Sequence, residues 1–497
     1  MAIPNVKVNV GEETLSTLNN VIPFVPVVIM KTKSGPIGTV ETITSESQFK
    51  NLFGESDATT PSAFAIQKYL RTYSYVLVTR IANESAATVG TATIANGTGT
   101  GALQLVKVTT DYKTDLFNGK EIKLIYDGDI HKLWLDLSAL TGKTTLSIKE
   151  DYTADTATAD VLEATLDKLV ASINASNLGV TLENLFVDKT EEDTVPTLEQ
   201  FTLGFSAYIT GGNSGNETNI DVAKVKEIID LYDGQDRDID VMVIPEYTNY
   251  EVVNYGIAMA KKNNFVFLAS PSATTPEAFV AAISNYTPDD RGTLALYDPN
   301  VKYADLDAEI PTSIAVLTAY AKNDIASKWG APAGVNRGTL SLVSELTTRL
   351  TETQMSALYD ANPAVNCINN ISGKGFIVWG NKTASTDTEF FDRINVARLV
   401  KYVTRRIYNI SYDYLFEPIT TATFVGWTDR VESLLETIKT GNGIEAYEVR
   451  MDASLNSEET IARNELYGSV RIKPLEVAEF ITIDFTVTDE ISAVVEV

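Results

Sequence analysis

Gly211-Gly212-Asn213-Ser214-Gly215-Asn216 follows a strand-like run, Ala207 to Thr210, and precedes a helix start near Asp221, the setting in which a glycine-rich loop cradles phosphate. The residues do not complete the motif. A P-loop needs a Lys-Ser/Thr pair entering the helix and the dinucleotide fingerprint needs Gly-x-Gly-x-x-Gly; with neither present, the segment reads as a tight turn. Ser214 is not a nucleophile elbow, because the glycine required two residues later is Asn216. Asp233, Asp236, Asp238 and Asp240 have the crowding of a calcium loop, but the glycine expected after the third ligand is Val241, so they read as a solvated loop. The cluster Lys189-Thr190-Glu191-Glu192-Asp193 reads the same way. His131 and Cys367 are the only histidine and cysteine, which rules out a histidine-based triad, an intrachain disulfide and a cysteine metal cluster. His131 lies among the alternating residues Ile130 to Leu135, as a strand surface position would. Cys367, in Ala364-Val365-Asn366-Cys367-Ile368, reads as a buried thiol. No catalytic residue, cofactor or metal is expected, and an α/β enzyme is the alternative of a different class.

A chain of 497 residues exceeds what one core usually serves, so two to four domains are expected. With 44% hydrophobic and 21% charged residues the composition is globular. Sixty-six acidic against 40 basic residues leave a formal charge of −26, which argues against direct contact with nucleic acid and for subunits that repel one another until something nucleates their association. Met1-Ala2-Ile3-Pro4-Asn5 has no secretory character, so synthesis in a cytoplasm is expected. The most apolar stretch, Val21 to Met30, is about half of a bilayer span and contains Pro23 and Pro26, so no membrane anchor is expected.

The elements that must position everything else follow from periodicity. A strand at Val25 to Met30, a helix beginning near Ser62 after Thr60-Pro61, and a strand at Tyr75 to Ile81 form a first α/β unit. Between about Asn83 and Gln200 the composition shifts to Thr, Gly and Asp, with short alternating runs at Leu103 to Val108, Glu121 to Tyr126 and Lys132 to Leu137. A helix from about Thr158 to Ser176 carries Leu162, Leu166, Leu169 and Ile173, and the whole reads as an inserted, mostly β module. Strands at Asp238 to Pro245, Asn264 to Pro271 and Gly292 to Pro299, separated by helix-length segments, continue the α/β grammar. Phe376 to Trp379 reads as a buried strand with Trp379 in the core, Phe391 to Ile407 as a helix, and Trp427 to Thr440 as a helix stopped by Gly441.

Both chain ends are strand-like. Val6, Val8 and Val10 alternate with polar residues, as do Ile481, Ile483, Phe485 and Val487, and no local hairpin offers the first strand a partner. The pattern alone leaves pairing within the chain and pairing with another chain both open.

One stretch is recognisable. Ile310-Pro311-Thr312-Ser313 to Ala321-Lys322-Asn323-Asp324 is followed by Trp329-Gly330-Ala331-Pro332-Ala333-Gly334-Val335-Asn336-Arg337-Gly338. Later come Gly373-Lys374-Gly375, Val378-Trp379-Gly380-Asn381-Lys382-Thr383, Arg393-Ile394-Asn395-Val396-Ala397-Arg398 and Phe416-Glu417-Pro418. In order and spacing these resemble the contractile phage tail sheath family over about residues 200 to 490. Phe117-Asn118-Gly119 matches within the module, and the family's usual Pro-Gly-Val opening is here Pro4-Asn5-Val6.

The resemblance implies an α/β (α+β) multidomain fold: an N-terminal strand arm (1–20), a central α/β domain in two parts (21–82 and 205–365), the inserted mostly-β domain (83–204), a family-shared C-terminal inner sheath domain (366–478) and a C-terminal strand arm (479–497). It also implies a structural subunit of a virion, made in the host cytoplasm, that polymerises with copies of itself as stacked rings or a helical, six-fold lattice. Its further implied partners are a tail tube protein and the baseplate and tail terminator proteins. Val6, Val8, Val10, Ile481, Ile483, Phe485 and Val487 would be the arms that join neighbours' sheets. A sheath of a phage-derived bacteriocin or another contractile injection system is the alternative.

Overall fold

The computed structural model describes residues 24–96, 102–141, 149–153, 158–176, 178–187, 196, 200, 205–216, 220–234, 238–387 and 389–479. These fall into two compact bodies, one ending at Asn409 and one beginning at Ile410.

The first body is built on eight strands in the order Gly375–Trp379, Val365–Ile371, Leu294–Asp298, Val266–Ala269, Val241–Val243, Pro26–Met30, Val76–Arg80, Val40–Ile43. The six inner strands run parallel and an antiparallel strand closes each edge. Crossover helices cover both faces of such a sheet, which is why its strands read as unbroken apolar runs. Every residue of Pro26–Met30 and of Val76–Arg80 is buried. Val28, Met30, Val78, Val243 and Leu268 face one core with residues of the helices Pro61–Tyr69 and Leu317–Ala326. Val27, Ile29, Leu77, Met242 and Phe267 face the other, with residues of Val222–Asp230 and Tyr250–Asn263. The helices start where side chains satisfy their first free N–H groups. Asp221 accepts from Ala223, Asn249 from Val252, and Thr351 with Gln354 forms a capping box.

Trp379 departs from its expected place in the core. It is 48% exposed, because Gly375–Trp379 is the edge strand and the backbone of residues 338–340 bonds only to Phe376 and Val378, short of the strand's last residue.

The module has its own core, with Leu105, Val108, Leu124, Leu135, Leu162 and Phe186 buried in it. One sheet joins Thr91–Ala95, Gln104–Thr110 and Val180–Asn184. The other joins Phe205–Tyr208, Glu121–Asp127, Lys132–Asp136 and Lys149–Asp151. Helix Ala159–Asn174 buries Leu162, Leu166, Leu169 and Ile173 against them, at the spacing its sequence predicts. Phe205–Tyr208 pairs with Glu121–Asp127, so the module's last strand lies past residue 204. His131 sits in the turn between two strands rather than on one. Its φ of 49° closes the turn, and its Nδ1 lies 3.1 Å from the Tyr126 hydroxyl.

Where chain enters and leaves the module, Thr88 and Asn213 exchange two backbone hydrogen bonds of 3.0 Å. The Gly211-Gly212 pair makes the turn. Gly211 has φ 78°, and a Cβ on Gly212 would stand 2.1 Å from the Thr114 carbonyl oxygen. Asn118 donates to the Gly212 carbonyl at 2.7 Å and accepts from its N–H at 3.0 Å. The buried Arg80 guanidinium donates to the carbonyls of Gly35, Lys113 and Ser214.

In the second body, helix Thr421–Thr440 starts at a Thr420 cap and ends at Gly441. It buries Trp427, Val431, Leu435 and Ile438 and packs on the strand Ile444–Arg450, which pairs antiparallel with Ser469–Pro474. Trp427 packs against Gly468, where a Cβ would come within 2.8 Å of the indole, and donates from Nε1 to Ser411 at 2.7 Å.

Candidate functional site

Among the described residues the elements that a catalytic reading would need do not converge. Cys367 is 1% exposed and burial pushes its thiol up to about 12, a structural rather than reactive setting. Among the described residues no group of three or more His, Cys, Asp or Glu is placed to hold a metal.

What does converge is charge. Helix Ile394–Tyr412 crosses the end of the sheet where the parallel strands begin, and Arg398, Lys401 and Arg405 point inward at i, i+3 and i+7, one helical stripe. Arg398 grips Asp324 with two parallel bonds of 2.8 and 2.6 Å. Its guanidinium also lies 4.9 Å from the Tyr320 ring centre and 5.9 Å from that of Phe24. Arg405 donates to Asp240 at 2.8 Å and to the Ile239 carbonyl at 2.5 Å. Lys401 donates to the Arg291 carbonyl at 3.0 Å. Lys328 reaches both carboxylates, at 2.7 Å to Asp240 and 3.7 Å to Asp324, and Asp240 further accepts the Val25 N–H at 3.0 Å.

Asp240 is therefore not part of a solvated loop, as its sequence neighbours predict. It is 6% exposed, whereas Asp233 pairs with Lys262 at the surface, Asp238 is half exposed and Asp236 lies outside the described residues. Burial alone would raise the Asp240 carboxyl, but the charges of Lys328, Arg405 and Arg398 hold it well below the usual range. Burial also pushes Asp324 up. Its bidentate contact is with a guanidinium that does not give up its proton, which keeps the carboxylate charged. Burial depresses the Lys401 ammonium to about 8.

The neighbouring landmarks fasten the start of the same helix. Asn381 donates to Asn395 at 2.8 Å, and Thr383 donates to the Phe391 carbonyl at 2.5 Å. Asn366 bonds both N–H and carbonyl of Lys382, at 2.8 and 2.7 Å. The residues that look most like signatures are thus clamps, and what they clamp is one helix against one edge of a sheet.

A second candidate is in the smaller body. The pair Ile444–Arg450 and Ser469–Pro474 is a sheet of two strands, and among the described residues each has a free outer edge. Isolated two-stranded sheets are marginal in water, and an open edge is a template for another strand. Val6, Val8, Val10, Ile481, Ile483, Phe485 and Val487, the sequence's candidates for such strands, lie outside the described residues.

A scan against family models matches residues 386–488 to the phage tail sheath C-terminal domain, a segment holding Arg398, Arg405, the paired strands and the helix between them. Through this segment the chain is similar to the phage tail sheath family. Curated relatives of the chain are tail sheath proteins of Vibrio phage KVP40, 29% identical over 287 residues, and of Enterobacteria phage T4, 27% identical over 282. Each alignment covers 56% of the chain and 41% of the relative, so the chain spans about two fifths of those proteins' length. Its fold extends further than its sequence likeness. The sheath of an extracellular contractile injection system in the contracted state aligns over 99% of both chains, at TM-score 0.56 and 16% identity. A sheath tail protein of Desulfitobacterium hafniense covers 94% of this chain at TM-score 0.58 and 12% identity. No helix among the described residues is long and apolar enough to cross a membrane.

Proposed function

We propose that this chain is the structural subunit of a contractile tail sheath, which polymerises helically around a tail tube and shortens to drive the tube through a cell envelope for genome ejection. The observation that carries the reading is the match of residues 386–488 to the sheath C-terminal domain, with a two-stranded sheet in that segment whose outer edges are free among the described residues. A strand contributes a row of main-chain hydrogen bonds, so arms of neighbouring subunits, with Val6, Val8 and Val10 from one and Ile481, Ile483, Phe485 and Val487 from another, complete that sheet while the bodies move. The lattice is a homo-oligomer of stacked rings or a helix, six-fold in this reading. Its further partners are the tube, baseplate and terminator proteins. The subunit acts by rearrangement, without a cofactor, within a virion whose parts are made in the host cytoplasm. Sequence relatives that are phage proteins favour a phage tail over the sheath of another injection system, whose solved members share the fold.

Electron microscopy of the purified chain tests the polymer: tubes are expected, and dispersed particles at every concentration would sink it. Removing residues 488–497 tests the arm. We expect folded, soluble monomers with the parent's melting temperature and no tubes; a lowered melting temperature instead would place the arm in its own subunit's sheet.

A further inference from the structure

Phe416 combines two features that folding does not favour. Its φ of 66° is left-handed, a region that glycine enters freely and a bulky residue does not, and its side chain is 85% exposed. Neither strain nor exposure serves the subunit's own core. The turn that carries it is nonetheless fixed from several directions. Asp413 pairs with Arg430 at 2.8 Å, and Tyr414 packs on Gly426, where a Cβ would lie 3.1 Å from the phenol oxygen. Glu417 N–H donates to the Tyr414 carbonyl at 3.3 Å, and Thr423 donates to the Pro418 carbonyl at 2.5 Å. At the same end of the two helices Tyr412 is 47% and Val425 52% exposed.

From this geometry we infer that Phe416 is a preset apolar peg that seats in a second copy of this chain. The choice of partner rests on copy-to-copy assembly as proposed above and on two observations of its own. The eleven residues Leu415 to Val425 hold one charge, Glu417, in a chain of net −26. Like-charged copies repel, and such a tip is where they meet without adding to that repulsion. The tip also belongs to the same body as the open two-stranded sheet, so both contacts act on one unit. A backbone held in one conformation before binding loses less freedom on binding, which gives the strained φ a purpose.

The test uses the full-length chain with Phe416→Gly and Phe416→Asn, two residues that accept the left-handed region. Association is followed by sedimentation and microscopy across concentration, and folding by thermal melting. Both variants should melt at or above the parent temperature, and the concentration at which they assemble should rise about tenfold or more. Unchanged assembly in either variant would overturn the inference and assign the peg to a different partner. A fall of the melting temperature in both variants would also overturn it, because Phe416 would then serve its own fold. If the parent forms oligomers other than tubes and the variants lose them, the peg stands and the sheath reading falls; if the parent is monomeric throughout, both fall.

Discussion

Arg398 is surrounded by a carboxylate, two aromatic rings and the second carboxylate's field, and it is 5% exposed. Removing one partner from such a pair strands the other in low dielectric, which costs about 3–5 kcal/mol. Arg398→Ala should therefore lower the melting temperature of the larger body by calorimetry, and Arg398→Met with Asp324→Leu should recover a large part of the loss. Glu246 gives the pH dependence at the opposite end of the sheet, just after Val241–Val243. Both its carboxylate oxygens are buried, and desolvation raises its pKa from 4.5 to about 7, outweighing Ser62 and Lys31, which pull it down. The folded state binds the proton more tightly than the unfolded, so this group's contribution is most favourable below pH 4.5 and declines as pH rises through 7. Across that gap the change is about 3 kcal/mol. Glu246→Gln should accordingly melt higher than the parent at pH 8 and at nearly the same temperature at pH 4.5; a difference independent of pH would refute the assignment. Asp324 and Arg398 stand out in sequence as landmarks. The pairing of Asp240 with Arg405 joins positions 165 residues apart, and nothing local in Asp233 to Asp240 marks one carboxylate as buried.

At the scale of elements, periodicity is informative where a face must be buried and silent where pairing is long-range. The helix at Ala159–Asn174 and the parallel strands were legible, since their apolar spacing follows from the core they fill. Trp379 was not, because a strand's own sequence does not say whether it lies inside a sheet or at its rim. His131 was misplaced for a related reason: alternation through Ile130 to Leu135 continues across a turn that only its φ reveals. The module's limit follows from pairing too, since Phe205–Tyr208 finds its neighbour about eighty residues back. Excision between Thr88 and Asn213, closed by a short Gly/Ser linker, should leave the larger body folded, because Arg80 keeps two of its three carbonyl partners, Gly35 and Ser214. Excision of residues 83–200 should fail, since it leaves Phe205–Tyr208 without the strand it pairs with. Circular dichroism and melting of the two deletions distinguish these outcomes.

For the whole molecule the governing quantity is the charge of −26 carried by every copy. Screening shortens from about 30 Å at 0.01 M salt to about 8 Å at 0.15 M, so the concentration needed for assembly should fall as salt rises through that range. Light scattering measures it, and assembly that weakens with salt would show that opposite charges, rather than apolar contacts and strands, hold copies together. The fold class was readable from the alternation of strand and helix, and the likeness to tail sheath proteins from landmarks, several of which turned out to fasten one helix. Whether the terminal strands pair within the chain or with another copy was not, because an exposed edge states a need without naming who fills it. The clasp between Thr88 and Asn213 bears on a different matter. Two backbone bonds of 3.0 Å hold the chain's exit beside its entrance, so the larger body closes without reference to what hangs between them. That makes the site a natural mounting bracket: a foreign domain with adjacent ends could be displayed there once per chain.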